Sequence, residues 1–478
     1  MKRKREFHRH PKETRLPKHI SLGEPVKLLN DVVTEELCKE VFQSSRTNER
    51  EREWSLCALA EFWRKVVLRS PSSLEQAVEE ETAIQKAMGD EPGEGIPETS
   101  MQALYGRCQS LPSKFFSNLH DRVAGRFYDL APLSYNRDLS YLSERFPSIR
   151  VVDGSRLDRI ARRLKVVQGR RQVVLPGAIA ASYDPFRGVV TGLDFTPDAA
   201  EYELDRANRL FEKMAAGSLV IGDRLYAYPK KITELRKRGI FILTRPTNGV
   251  GLNVEKTLAC RKARGVLLED YLVKGVSRAK GQKGDQDEDN LLRWIIRTEK
   301  GEKREVVTSV LDPEVLSAEE AVELYARRWS VERVFFDLKR VLKLHKFYTA
   351  NPNGVAMQVF AGAMVYSAMR VVQGRIAQAF KLAGEDLSPG RLFPRVASMS
   401  EIMAGFEVGV LVVKEANPGV KLVLPDPAKQ EFCRVVLKYL LVRRRTGRRI
   451  KRRYCSSRAQ WISLAHIPAA RRAFCDEN

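Results

Sequence analysis

The stretch from Tyr325 to Lys339, YARRWSVERVFFDLK, limits the possible folds more than any other part of the chain. Around it Leu324, Val331, Phe335, Leu338 and Leu342 recur at steps of seven, four, three and four, the spacing of a helix with one buried face. Tyr325, Arg328, Glu332 and Lys339 stand at relative positions 0, 3, 7 and 14. At about 100° per residue these four fall within an arc of about 60° beside that apolar stripe. Such a helix must lie on a core while presenting one carboxylate, two cations and a phenol. A solvated helix face is the ordinary reading of such charges. A lone carboxylate among phosphate-binding groups suggests instead a metal ligand in an enzyme that cuts nucleic acid.

The residues before this helix predict a mixed α/β sheet. IRVVDGS, from Ile149, reads as a strand ending in an Asp-Gly turn. Strands are expected at 178–183 and 188–195 around DPFRG, a helix at 203–214, a strand at 219–223, a helix at 229–238 and a strand at 240–244. From 247 to 312 the pattern is again that of strands, at 266–276, 291–298 and 305–311, with the polar loop SRAKGQKGDQDEDN between the first two. The Glu332 helix should begin near Ala318 after a Ser317 N-cap. The expected organisation is a helical, basic N-terminal DNA-binding region at 1–135, the first part of a catalytic core at 145–246, a β-strand insertion at 247–312, the remaining core at 313–375, and a basic C-terminal region at 376–478. No internal repeat is visible, which argues against a solenoid.

A net charge of +23 implies a polyanionic partner, for which nucleic acid is the usual candidate. Residues 1–20 form a basic arm, and Arg443, Arg444 and Arg445 open a second run, RRRTGRRIKRR, that contains no acid. These are candidate DNA contacts, although such runs are also common in solvated tails. The most apolar stretch, 355–372, contains Gln358, Ser367 and Arg370 and is read as too interrupted to cross a membrane. Seven cysteines and six histidines show neither disulfide nor zinc spacing. Reduced thiols in a cytoplasmic protein are expected, and any metal should have oxygen ligands, hence Mg²⁺ or Mn²⁺.

A two-metal phosphodiester hydrolysis holds its ions about 3.5–4 Å apart, so Glu332 needs further carboxylates. Asp153 and Asp223 each end a predicted strand. If those strands lie side by side in parallel, both acids emerge at one sheet end, where such sheets place ligands. Taken alone, an Asp before Gly is more often a turn residue, and Asp184 and Asp194 are alternatives for the second ligand.

Tyr325-x2-Arg328-x3-Glu332-x6-Lys339 resembles the YREK signature of the insertion-sequence-four (IS-four) family of bacterial DDE transposases. VVDGS at Asp153 is similar to that family's first Asp region. IGDRLY at Asp223 is similar to its second, with Leu225 where the family usually has Gly. The resemblance covers roughly residues 145–375. It implies a ribonuclease-H-like catalytic core with a β-strand insertion, flanked by the helical N-terminal and basic C-terminal regions. It further implies a triad of Asp153, Asp223 and Glu332 binding two Mg²⁺ (Mn²⁺ possible) and a cut-and-paste reaction. In that reaction water frees a 3′-OH at the element end, and the hydroxyl then attacks the opposite strand or target DNA. Tyr325, Arg328 and Lys339 would hold phosphates along the strand. Trp294 would receive a displaced base, unless it is simply a core tryptophan. The expected partners are double-stranded DNA with terminal inverted repeats, target DNA and a second copy in the active complex, with no membrane. The expected location is cytoplasmic and nucleoid-associated in a bacterium. An inactive DNA-binding regulator and a stand-alone nuclease of the same fold remain alternatives.

Overall fold

Among the described residues nine strands form one mixed sheet in the order β3-β2-β1-β4-β5-β9-β8-β7-β6. They are β1 (Ile149–Arg156), β2 (Ala178–Tyr183), β3 (Val190–Thr196), β4 (Leu219–Ile221), β5 (Phe241–Thr244), β6 (Val250–Ala263), β7 (Val266–Ser277), β8 (Leu291–Glu299) and β9 (Glu302–Thr308). The computed structural model of the chain describes residues 24–88, 97, 100–157, 177–198, 201–277, 291–344, 346–390 and 392–393. The basic arm, the loop at 278–290 and the run containing Arg443, Arg444 and Arg445 lie outside them.

Alternation along the central strands decides which layer covers which face. Val151, Ala181, Leu219, Ile221 and Leu243 face one core. Val152, Ala180, Val220 and Ile242 face the other. The second face is covered by α7 (Glu203–Phe211) and α8 (Pro229–Lys237), through Leu210, Phe211, Ile232 and Leu235. The first is covered by the helical segment that carries Glu332 and by α11 (Pro352–Ala379).

Around α11 pack α1 (Glu24–Val32), α3 (Leu56–Arg69), α5 (Met101–Ser110) and α6 (Lys114–Leu130), while α2 (Glu35–Ser45) lies on α3 and α6. A further helix, α4 (Leu74–Met88), extends the helical pattern up to the Gly- and Pro-rich segment. These N-terminal helices share one continuous core with α11 and the sheet.

The reading of 355–372 as too interrupted to span a bilayer needs correction. α11 is long and apolar enough by length and composition, with mean hydropathy 1.5 over its most apolar window, yet that window is wholly buried within the protein. Its polar residues serve the interior: Ser367 Oγ accepts from the Val190 amide at 3.2 Å. Arg370 donates to the Gly188 carbonyl and to Tyr183 Oη. A helix apolar all round is a core helix when protein covers it.

Strands β6 to β9 form an antiparallel meander joined to the edge of β5 by the β5–β9 pair. Two of its hairpins turn on Arg264-Gly265 and Lys300-Gly301, where all four residues have positive φ (51°, 79°, 54° and 80°). That is the two-residue turn whose twist matches paired strands. Beneath the meander Arg293, fully buried, pairs with Asp270 (Nε to Oδ1, 3.3 Å) and donates to the carbonyls of Val310, Asp312 and Leu316. This ties β7 and β8 to the segment that leads into the Glu332 helix. Asp270→Ala leaves the guanidinium buried and unpaired, a loss of about 3–5 kcal/mol. Urea unfolding of the two proteins should show it, and a loss below about 1 kcal/mol would mean that the carbonyls alone satisfy Arg293.

Candidate active site

The parallel pairing of β1 with β4 aligns Ile149 with Leu219, Arg150 with Val220 and Val151 with Ile221. Continuing that register by two residues brings Asp153 level with Asp223. Asp153 lies on β1, on the same face as Val151, and its Oδ1 accepts from the Gly154 amide at 2.9 Å. Asp223 follows β4 and caps the 3₁₀ turn Arg224–Tyr226, accepting from the Arg224 amide at 2.7 Å. Its carbonyl accepts from Thr244 Oγ1 at the end of β5.

The third carboxylate arrives on a helical segment of changing pitch. Ser317 caps α9 (Ala318–Tyr325) in a reciprocal box with Glu320. A 3₁₀ turn, Ala326–Arg328, then leads into α10 (Trp329–Phe336), and a π-helical turn, Asp337–Val341, follows. The arc expected from uniform helix geometry is therefore altered. The 3₁₀ turn overwinds the helix before Glu332, and the π turn underwinds it before Lys339. Lys339 folds back to the end of β1, where Nζ donates to Ser155 Oγ at 2.6 Å and to the Arg156 carbonyl at 2.7 Å.

Arg328 joins the two layers. Nη1 donates to Asp153 Oδ2 at 3.1 Å and Nη2 to Glu332 Oε1 at 3.2 Å. Its guanidinium also lies 5.0 Å from the centre of the Trp329 ring, within cation–π range. Burial pushes the Asp153 carboxyl up to about 7, Arg328 opposes this, and the like charges of Glu203 and Asp223 add to it. Burial also raises the Tyr325 phenol, again with Asp223 and Asp153 adding and Arg328 opposing. Tyr325 Oη is itself buried and has no hydrogen-bond partner among the described residues.

The alternative carboxylates have other work. Asp184 accepts from the Phe186 and Arg187 amides in the β2–β3 turn and pairs with Arg150. Asp194 forms two hydrogen bonds to Arg209 on α7. Trp294 is half-buried on β8, with its ring 5.9 Å from that of its cross-strand neighbour Tyr271, Lys303 over it, and Nε1 donating to Glu305.

One acidic residue escaped the sequence reading. Glu203, the first residue of α7, approaches β1 from the opposite face. Its Cδ lies 2.7 Å from where a Cβ on Gly154 would sit, and its Oε1 accepts from Tyr226 Oη at 3.3 Å. The only hint in the sequence is the glycine directly after Asp153.

The donors suit a hard divalent cation, since Asp153, Asp223 and Glu332 offer carboxylate oxygens alone. A cationic group, the Arg328 guanidinium, already lies between two of them. Among the described residues no three Asp, Glu, His or Cys side chains converge closely enough to hold an ion as they stand. Binding would require Arg328 to yield its place. The described cysteines, Cys38, Cys57, Cys108 and Cys260, are all free thiols.

A protein of Sinorhizobium fredii (strain NBRC 101917 / NGR234) named "Putative transposase y4zB" is 28% identical over 159 residues, 33% of this chain and 43% of that protein. The chain thus matches less than half the length of this curated relative. A piggyBac transposase, solved by cryo-EM in a synaptic complex with hairpin DNA, aligns over 91% of both chains with 9% identity and a TM-score of 0.35. Residues 147–368 match the family described as transposase DDE domain, a span that runs from just before β1 into α11 and takes in Asp153, Asp223 and Glu332.

Proposed function

We propose that the chain is a DNA transposase of an insertion sequence, with a ribonuclease-H-like core that cuts DNA using two divalent cations, Mg²⁺ or Mn²⁺. The observation that carries this reading is the meeting of three carboxylates from distant parts of the sequence. Asp153 and Asp223 stand level on adjacent parallel strands, and Arg328 links Asp153 to Glu332. The match of residues 147–368 to the transposase DDE domain supports it. The order β3-β2-β1-β4-β5, in which β2 alone runs against the others, supports the ribonuclease-H-like assignment. The YREK reading of Tyr325, Arg328, Glu332 and Lys339 gains support from the electrostatic coupling of Tyr325 and Arg328 to the two aspartates.

When bound, the ions would activate a water for in-line attack and neutralise charge on the phosphoryl oxygens. The chain supplies the rest. Asp153, Asp223 and Glu332 would be the ligands. Arg328, released from its two carboxylates, can fork onto a phosphate oxygen. The buried Tyr325 hydroxyl has a donor to offer beside it. Lys339 braces the end of β1. Hydrolysis at an element end frees a 3′-OH, which then attacks the opposite strand or target DNA. The substrate is double-stranded DNA with terminal inverted repeats, and coupling two ends calls for a homodimer in the complex. The net charge of +23 supports a polyanionic partner.

With DNA spanning the flanks of the reading frame as substrate, Glu332→Gln should abolish Mg²⁺-dependent cleavage while a gel-shift assay shows nearly unchanged binding. Parallel loss of both would remove Glu332 from the chemistry, and wild-type binding without any cleavage would favour a regulator.

Asp153 also gives a pH dependence. Its folded pKa, raised to about 7 by burial first, lies above the unfolded value of about 3.9. The folded state therefore keeps a proton that the unfolded state has lost. Relative to Asp153→Asn, the metal-free wild type should lose stability as pH rises from about 4 to about 7, and then level off. Paired thermal melts in EDTA would measure this difference. A difference that stays flat across the range would mean that Asp153 is ionised throughout.

A further inference from the structure

Asp337 is a buried acid that the cleavage reaction does not use. It opens the π turn that follows α10, and only 3% of it is exposed. Tyr366, on α11, is covered to the same degree. Among the described residues neither Asp337 Oδ2 nor Tyr366 Oη has a hydrogen-bond partner. Both side chains line one small cavity, together with Arg370, Gln373, Val341 and Phe393, and its volume is about 10 Å³.

Arg370 would be the natural partner for this acid, yet its hydrogen bonds go elsewhere. Nε donates to the Gly188 carbonyl at 3.3 Å, Nη1 to Gln373 Oε1 at 3.0 Å and Nη2 to Tyr183 Oη at 3.2 Å. Arg370 therefore offsets the charge of Asp337 without satisfying its oxygen. A carboxylate oxygen accepts and a phenol hydroxyl donates, so the two unpartnered atoms are complementary in kind. A molecule that accepts from one and donates to the other suits them both. Water does so, and a polar cavity of about 10 Å³ has room for one. Leaving the two groups unsatisfied would cost more than holding one water in place.

The location of the cavity gives it a consequence. Two residues beyond Asp337, Lys339 leaves the π turn and donates to Ser155 Oγ and to the Arg156 carbonyl at the end of β1. The direction of Lys339 depends on that local departure from α-helical pitch, and so on what packs against the turn. We infer that the cavity is a hydration site for one water, which accepts from Tyr366 Oη and donates to Asp337 Oδ2, and that this bridge from α11 to the π turn positions Lys339 at the end of β1. Asp337 and Tyr366 are positioning residues on this account, and the account does not rest on the two-metal reading.

The full chain, without metal or DNA, is the material for the test. A high-resolution crystal structure should show a water within about 3.2 Å of both oxygens. A direct bond between the two side chains, or a dry cavity, overturns the site. In urea unfolding at pH 8, Tyr366→Phe should lower the folding constant about fivefold. The effect should largely persist beside Asp337→Asn, which keeps an acceptor oxygen, and largely vanish beside Asp337→Leu. Equal effects in all backgrounds mean that the two residues share no partner.

A pH profile serves even if Asp337→Leu fails to fold. Burial pushes the Asp337 carboxyl up to about 6, Arg370 and Arg333 oppose this, and the Tyr366 and Tyr135 phenols feel its charge. That value lies above the unfolded one of about 3.9, so the folded state holds the proton more tightly. Relative to Asp337→Asn, the wild type should lose stability as pH rises from about 4 to about 6. A water donating to the carboxylate favours its ionised form. Tyr366→Phe should therefore extend the loss to higher pH, and an unmoved profile overturns the bridge. Brief acetylation with acetic anhydride, read by peptide mass spectrometry, tests the link to Lys339. Tyr366→Phe should raise Lys339 modification severalfold, while Lys231 on α8, paired with Glu234, reacts as in wild type. Unchanged Lys339 modification would overturn the positioning role.

Discussion

The Arg328 guanidinium, held between Asp153 and Glu332, is the contact on which the site depends. Asp153 belongs to the sheet and Glu332 to a helix encoded more than 170 residues later. Two carboxylates brought together at a half-buried strand end repel each other, and the cost of their desolvation is severe unless a cation is shared. Arg328 sits one turn before Glu332, and its planar fork donates to both layers at once. The same bond also fixes the rotation of α10 over β1. It therefore turns a loosely specified packing of helix on sheet into a defined arrangement of acids.

The sheet contributes precision of a different kind. Parallel register is fixed by the backbone, so once β1 and β4 pair, Asp153 and Asp223 are level whatever their side chains prefer. Their environments then diverge. Asp153 lies within its strand, whereas Asp223 follows one and caps a turn; each is half-buried and accepts from the amide of the next residue. The sheet thus supplies two oxygen donors at a fixed spacing with different electrostatic surroundings, and the helical layer supplies the third.

Much of this was legible because it depends on local pattern. The order of strands and helices from Ile149 to Thr244 and the Ser317 cap follow from apolar period and turn residues, whereas the choice of Asp153, Asp223 and Glu332 as a set also drew on a family resemblance. The features that were not legible depend on long-range packing. β6 was missed because most of it is solvent-exposed, so its residues carry no alternation of apolar and polar to read. Its turn, Arg264-Gly265, has a Gly at the second position but lacks the Asn or Asp that usually marks a two-residue hairpin before it. Glu203 was missed because its significance comes from Gly154, 49 positions away and on a different element. The reading of 355–372 as too interrupted to span a bilayer rested on the wrong ground for a related reason. Composition describes what a helix could bury, and only the surrounding helices show what covers it.

The irregular pitch of the Glu332 helix follows from these constraints. A uniform helix would carry Tyr325, Arg328, Glu332 and Lys339 along a nearly straight line over about 20 Å, whereas β1 offers them only a short strand end. The 3₁₀ turn through Arg328 and the π turn at Asp337–Val341 change the angular spacing along that line. Arg328 then reaches Asp153, and Lys339 reaches Ser155 and Arg156. The π turn also contains Asp337, a buried carboxyl pushed up to about 6 by burial, with Arg370 and Arg333 opposing. One of its oxygens, Oδ2, has no hydrogen-bond partner among the described residues. A buried, incompletely satisfied acid inside a helix is a cost that packing alone would not select. It is tolerable here because the widened turn beside it is what brings Lys339 to the strand that holds Asp153.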